Sequence, residues 1–170
     1  IAGRKAWNWA EKKLGIRADD TAHYIFEDCR VPKDHLLGLD ESIPKGGSGG
    51  FSGVLKTFNM TRPFVAAIGL GMAEAALDLT REMLTEAGFE IAYGGGHLSR
   101  SGVVEKFLRL EAEFEAARLS ILRAAWLADQ KLPNNLESSV CKAKTGRAVQ
   151  EITQGCIEIL GPMGISRDHL

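Results

Sequence analysis

Cysteine is scarce: Cys29, Cys141 and Cys156 stand alone among 170 residues, with no Cys-x-x-Cys pair. On one helix, Cys141 and Cys156 would lie roughly 22 Å apart, beyond disulfide reach. A disulfide scaffold is therefore excluded, free thiols suit a reducing compartment, and both cysteines read as small core hydrophobes. The four histidines (His23, His35, His97, His169) form no His-x-x-x-His or His-Cys cluster, so no metal site is expected. A dominant charge is also missing, since 21 Lys and Arg face 22 Asp and Glu for a formal net charge of -1. That balance lacks the footprint of a nucleic-acid or anionic-membrane binder. No run of 18 apolar residues occurs, so no membrane span is expected. No Walker loop appears. The N-terminus, Ile1-Ala2-Gly3-Arg4, has no start Met and no signal-peptide pattern, and reads as the middle of a longer chain.

What is present is ordinary for a folded domain: 45% hydrophobic, 25% charged and 7% aromatic residues. Thr21 to Val31 is rich in β-branched and aromatic types and closes at Pro32, which predicts a strand. Lys45-Gly46-Gly47-Ser48-Gly49-Gly50 reads as a linker. It lacks the Gly-Lys-Ser/Thr ending of a phosphate cradle. Beyond it the period is helical. Val65, Ile68, Met72, Ala75, Leu79 and Met83 form one stripe. Phe107, Leu110, Phe114, Ala117, Ile121, Ala124 and Ala128 form a second, and Cys141, Thr145, Ala148, Ile152, Gly155 and Ile159 a third. Each stripe predicts an amphipathic helix of roughly 25 residues, and three such helices predict antiparallel bundle packing that usually takes a fourth. Tyr93-Gly94-Gly95-Gly96 reads as a surface loop between the first two helices, and Gly161-Pro162-Met163-Gly164 as a turn after the third.

The ordered motifs resemble acyl-CoA dehydrogenases. Leu14-Gly15-Ile16-Arg17-Ala18-Asp19-Asp20-Thr21, Ile25-Phe26-Glu27-Asp28-Cys29-Arg30-Val31-Pro32 and Leu36-Leu37-Gly38 are similar to the end of that family's middle β-domain. The stretch from Phe58-Asn59-Met60-Thr61-Arg62-Pro63 to Gly71 resembles the first helix of its C-terminal bundle. Glu115-Ala116-Ala117-Arg118-Leu119 and Arg123-Ala124-Ala125-Trp126 match the second, and Glu158-Ile159-Leu160-Gly161-Pro162-Met163-Gly164 sits at the family's Q-I-x-G-G-x-G. The implied fold is mostly α: a four-helix-bundle-type domain with three long helices present, preceded by a short β-strand remnant of a β-barrel-like middle domain. The implied boundaries are 1–45 for the β remnant, 46–52 for the linker and 53–170 for the bundle, truncated at its end.

The resemblance implies oxidation of the Cα–Cβ bond of an acyl-CoA thioester to a trans-2-enoyl-CoA, with FAD as cofactor and electron-transferring flavoprotein as acceptor. A glutamate takes the α-proton once hydrogen bonds polarise the thioester carbonyl. By the same resemblance Asn59 and Arg62 fall on CoA-substrate positions. The catalytic glutamate is absent: Thr61 occupies one of its two family positions, and the other, in a Tyr-Glu-Gly-Thr segment, is expected beyond Leu170. The R-x-x-F-G arginine that reaches the flavin across a subunit interface is replaced within Glu86-Ala87-Gly88-Phe89. Arg100 and Ser101 are left as cofactor candidates, with Glu158 and Gly161 at the third helix's end. Pro162 donates no N–H, and Glu158 stands for a glutamine that could both donate and accept. Homo-oligomers are implied, in bacterial cytosol or mitochondrial matrix. The rival readings are a non-catalytic paralogous subunit and a helical interaction domain without flavin ancestry.

Overall fold

The computed structural model describes residues 11–19, 21–22, 25–32, 35, 49–94 and 100–166, with side chains of residues 49–53 outside that description. Asp20, His23, Leu36-Leu37-Gly38, Lys45-Gly46-Gly47-Ser48, Gly95-Gly96, His97, His169 and Leu170, named above, lie outside it. The chain divides into two units, Ile1–Gly47 and Ser48–Leu170.

In the first unit the described backbone makes a tight turn. Ile16 adopts φ +49°, the Asp19 N–H donates to the Ile16 carbonyl at 3.2 Å, and Lys13 pairs with the Asp19 carboxylate at 3.7 Å. The strand expected over Thr21–Val31 does not form among its described residues, where Ala22 alone makes an isolated bridge. The Thr21 carbonyl accepts the Glu11 N–H at 3.0 Å, but among the described residues no ladder continues from it, and β-branched composition alone cannot hold the segment extended. Ile25, Phe26 and Val31 are all exposed.

The second unit holds three helices: α1 (Gly49–Glu86), α2 (Gly102–Asp129) and α3 (Asn135–Leu160), followed by a 3-10 turn, Gly161–Ile165. Helix α1 begins inside the Gly/Ser run, so the expected 46–52 linker is helical from Gly49. It stops in a Schellman turn: Gly88 takes φ +84°, with the Phe89 N–H on Leu84 and the Gly88 N–H on Thr85. Helix α2 starts on Ser101, whose Oγ accepts the Val104 N–H, and ends in the same motif with Lys131 at φ +57° in glycine's place. The core joins α1, α2 and α3 around Phe107, Leu110, Ala117, Ala148 and Ile152.

The stripes of α2 and α3 are buried as their spacing predicts. On α1 the expected face is the wrong one. Val65, Ile68 and Met72 are exposed, and the core takes Ala66, Leu70, Ala73, Leu77 and Leu84, one or two positions on. Both faces of α1 are apolar. The buried one carries alanines that let α2 and α3 approach closely. Among the described residues α1 is also long and apolar enough, by length and composition, to cross a membrane. Its packed alanine–leucine face and the exposed Glu74 and Asp78 read instead as a bundle helix. Burial pushes the thiols of Cys141 and Cys156 up, so both stay protonated at neutral pH.

Helix approach is tightest at Gly155, where an added Cβ would lie 2.8 Å from a Leu110 methyl inside the core. Gly155→Ala is expected to destabilise the bundle by about 1–3 kcal/mol. Gly146→Ala, on the same helix with nothing within 4 Å of its Cβ, is expected to stabilise by about 0.5–1 kcal/mol. Chemical denaturation of both variants checks the opposite signs.

Candidate functional site

Proline 63 lies inside α1 and supplies no N–H for the Asn59 carbonyl four residues back. That orphan carbonyl is taken by another helix: the Ser138 hydroxyl, fully buried near the start of α3, donates to it at 2.6 Å. The Asn59 side chain extends the junction, donating through Nδ2 to Asn135 Oδ1 at 2.6 Å. Its Oδ1 accepts from the Arg62 guanidinium, which also reaches Ser139 Oγ at 3.4 Å. The i, i+3 spacing sets Asn59 and Arg62 on one face of α1, and α3 fixes both. Ser138→Ala would strand the Asn59 carbonyl and is expected to cost about 1–3 kcal/mol, read as a fall in Tm without change in helix content.

Arg62 is half-buried and pairs with no carboxylate among the described residues. Its charge is met only by neutral oxygens, which leaves it able to engage a carbonyl or an anion. Thr61 beside it donates to the Phe58 carbonyl at 3.4 Å and brings no ionisable group to the junction.

The cofactor candidates sit at the opposite end of the bundle. Along α3 alone, Ser138 and Glu158 are about 30 Å apart at 1.5 Å of rise per residue. Each candidate is engaged within the chain. Ser101 caps α2, and the Gly161 N–H donates to Ile157 at φ +57°. Glu158 pairs with Lys106, whose hydrogen bond and charge hold its carboxyl below the usual range, so it is an anion at neutral pH. Arg100 donates to the Tyr93 and Gly94 carbonyls, at 2.8 and 3.2 Å, and its buried Nε has no partner among the described residues. An ionised Glu158, a capped Ser101 and an N–H-free Pro162 do not suit the diphosphate of FAD. Taken alone, the described residues do not fit that cofactor. No group of three or more His, Cys, Asp or Glu among them could hold a metal ion.

Sequence reasoning passed over a third cluster. Arg81 on α1 pairs with Glu111 on α2, donates to the Tyr93 hydroxyl at 2.6 Å, and lies 5.2 Å from the centroid of the buried Phe107 ring. Burial alone would lower this guanidinium's pKa, but Glu111 and Tyr93 outweigh it and hold it up. The cluster fastens the loop after α1 to the bundle. Its only sequence signal was an arginine followed twelve residues later by a tyrosine.

A family model described as acyl-CoA dehydrogenase, C-terminal domain, matches residues 48–170. The mitochondrial short-chain specific acyl-CoA dehydrogenase of Rattus norvegicus is 38% identical over 154 residues, covering 91% of this chain and 35% of that protein. Acryloyl-CoA reductase (NADH) of Anaerotignum propionicum is 32% identical over 159 residues, 94% of this chain and 38% of that one. The solved butyryl-CoA dehydrogenase from Megasphaera elsdenii superposes with a TM-score of 0.77 at 26% identity, covering 94% of this chain and 39% of that one. The chain thus spans about a third of the length of the curated relatives it matches.

Proposed function

The chain belongs to the acyl-CoA dehydrogenase family, and from that membership we propose that it is part of an FAD-dependent enzyme oxidising the Cα–Cβ bond of an acyl-CoA thioester to a trans-2-enoyl-CoA. The residues from Gly49 onward supply its helical bundle and 1–45 the end of the middle domain. The observation that carries the reading is the Asn59–Arg62 pair at the α1–α3 junction, with a guanidinium that no carboxylate among the described residues neutralises. Placed against the thioester, Arg62 stabilises negative charge on the carbonyl oxygen and so acidifies the α-hydrogen. Asn59 keeps the guanidinium in position. By the family resemblance, the base is a carboxylate outside these residues, since Thr61 holds one of its two family positions.

FAD supplies the redox chemistry. Its site belongs mainly to the rest of the enzyme and to a neighbouring subunit, which suits the separation of Arg62 from Arg100, Ser101, Glu158 and Gly161. Of those four, Arg100 keeps an unused donor and is the residue best able to reach the cofactor. An electron-transferring flavoprotein accepts the electrons, the assembly is a homo-oligomer, and the compartment is cytosol or mitochondrial matrix. The test is a steady-state assay of the full-length protein with straight-chain acyl-CoA substrates and a dye acceptor, following enoyl-CoA formation. No product with any chain length would overturn the reading.

A second reading, a non-catalytic paralogous subunit, is favoured by one feature: the end of α3 offers an anion at Glu158 and no N–H at Pro162. A full-length protein that purifies without flavin and gains activity only with a homologous partner would support it.

A further inference from the structure

We propose that Asn135, at the first position of α3, is a positioning residue that aims the Arg62 guanidinium. The inference rests on the function proposed above and adds to it the residue that sets the arginine's direction.

Both hydrogen bonds that hold Arg62 lead to Asn135. Along one route Arg62 Nη1 donates to Asn59 Oδ1, and Asn59 Nδ2 donates to Asn135 Oδ1 at 2.6 Å. Along the other, Arg62 Nη1 reaches Ser139 Oγ at 3.4 Å, and the Ser139 hydroxyl donates to the Asn135 carbonyl at 2.8 Å. Asn59 and Arg62 stand three apart on α1, and Asn135 and Ser139 four apart on α3. Each pair shares a helix face, so the four residues close a ring between the helices.

The ring fixes the sense of its bonds. A side-chain amide can turn over and exchange its oxygen for its NH2, and an NH2 turned toward a guanidinium meets it donor to donor. Asn135 supplies an acceptor, so Asn59 turns Nδ2 toward α3 and Oδ1 toward Arg62. A serine hydroxyl rotates until its proton is committed. The Asn135 carbonyl takes that proton and leaves the Ser139 lone pairs to the arginine. The backbone beneath is pinned from the same turn of α3, because buried Ser138 donates to the Asn59 carbonyl that Pro63 leaves free.

The outcome is directional. Only Nη1 is held, and Nε and Nη2, the edge with two parallel N–H groups, have no partner among the described residues. That edge suits an oxygen acceptor such as a thioester carbonyl. Neutral oxygens alone hold the guanidinium, so its aim depends on these directional bonds and not on an ion pair.

The test uses the full-length flavoprotein with Asn135→Ala and Asn135→Asp. Asn135 is exposed and is not the N-cap, so both variants should keep a Tm near wild type. Asn135→Ala frees the Asn59 amide and should lower kcat for acyl-CoA about fivefold, the worth of one hydrogen bond, with KM within about twofold. Asn135→Asp keeps an acceptor in the same place and should recover kcat to within about twofold. In an Arg62→Ala background, Asn135→Ala should cost less than about twofold, because no guanidinium is left to aim. The rate at which phenylglyoxal modifies Arg62, followed by peptide mass spectrometry without substrate, is a measure independent of turnover. It should rise about fivefold in Asn135→Ala and stay at the wild-type value in Asn135→Asp. A wild-type kcat or modification rate in Asn135→Ala overturns the proposal. So does the same loss of kcat persisting in Arg62→Ala, or Asn135→Asp behaving like Asn135→Ala. If the modification rate rises as expected but the wild-type protein oxidises no acyl-CoA, the positioning stands and the proposed activity fails. If acyl-CoA is oxidised and Asn135→Ala leaves both kcat and the modification rate unmoved, the activity stands and the positioning does not.

Discussion

Leu77→Ala is expected to lower the stability of the helical unit by about 2–5 kcal/mol, whereas Met72→Ala should change it by no more than about 0.5 kcal/mol. Leu77 is 5% exposed in the core between α1 and its neighbours; Met72 is 57% exposed. The first change loses transfer energy and leaves a cavity that close-packed neighbours cannot fill, and the second removes atoms that water already surrounds. For a unit of this size the Leu77 effect corresponds to a Tm fall of roughly 8–20 °C. Equal losses for the two variants would mean that α1 buries the Val65–Ile68–Met72 face, as its spacing alone suggests.

That reversal marks the limit of what the residues disclose. On α2 and α3 the exposed faces carry Glu115, Arg118, Arg123, Lys142 and Arg147, so polarity identifies the buried stripe and periodicity is enough. Helix α1 is apolar nearly all round, and Val65, Ile68 and Met72 compete with a stripe whose alanines look less hydrophobic. Close helix approach, which favours small residues, decided between them, and that is a property of the partners. The strand over Thr21–Val31 failed for a related reason, since β-propensity expresses fit to a neighbouring strand more than a local preference.

The candidate site was half legible. Asn59 and Arg62 are three apart on one helix, so their pairing follows from spacing. Their tether to Asn135 and Ser138 crosses more than seventy residues and could not be read locally. Pro63 gave the one clue, because a proline inside a helix always leaves a carbonyl needing another donor.

Arg62→Ala in the full-length protein should lower kcat/KM for acyl-CoA by about 10–100-fold, equivalent to losing one charged hydrogen bond to the reacting group. The loss should fall on kcat as well as KM, because charge on the thioester oxygen grows as the α-proton leaves. Arg62→Lys keeps the charge without the guanidinium fork and should recover only part of the rate. The control is Ser139→Ala, which removes the 3.4 Å contact to Arg62 and leaves the Asn59 bond. It should alter kcat/KM by less than about threefold, within the worth of one long hydrogen bond. A wild-type kcat/KM in Arg62→Ala at reduced Tm would make Arg62 a helix fastener and remove it from the substrate site.

The most direct measurement is an anaerobic titration of the full-length flavoprotein with acyl-CoA, followed by the flavin absorbance. If Asn59 and Arg62 belong to an acyl-CoA dehydrogenase site, saturated acyl-CoA of a suitable chain length bleaches the oxidised flavin in proportion to the sites present. A protein that purifies with FAD yet keeps its full oxidised spectrum with acyl-CoA of every chain length would contradict the assignment.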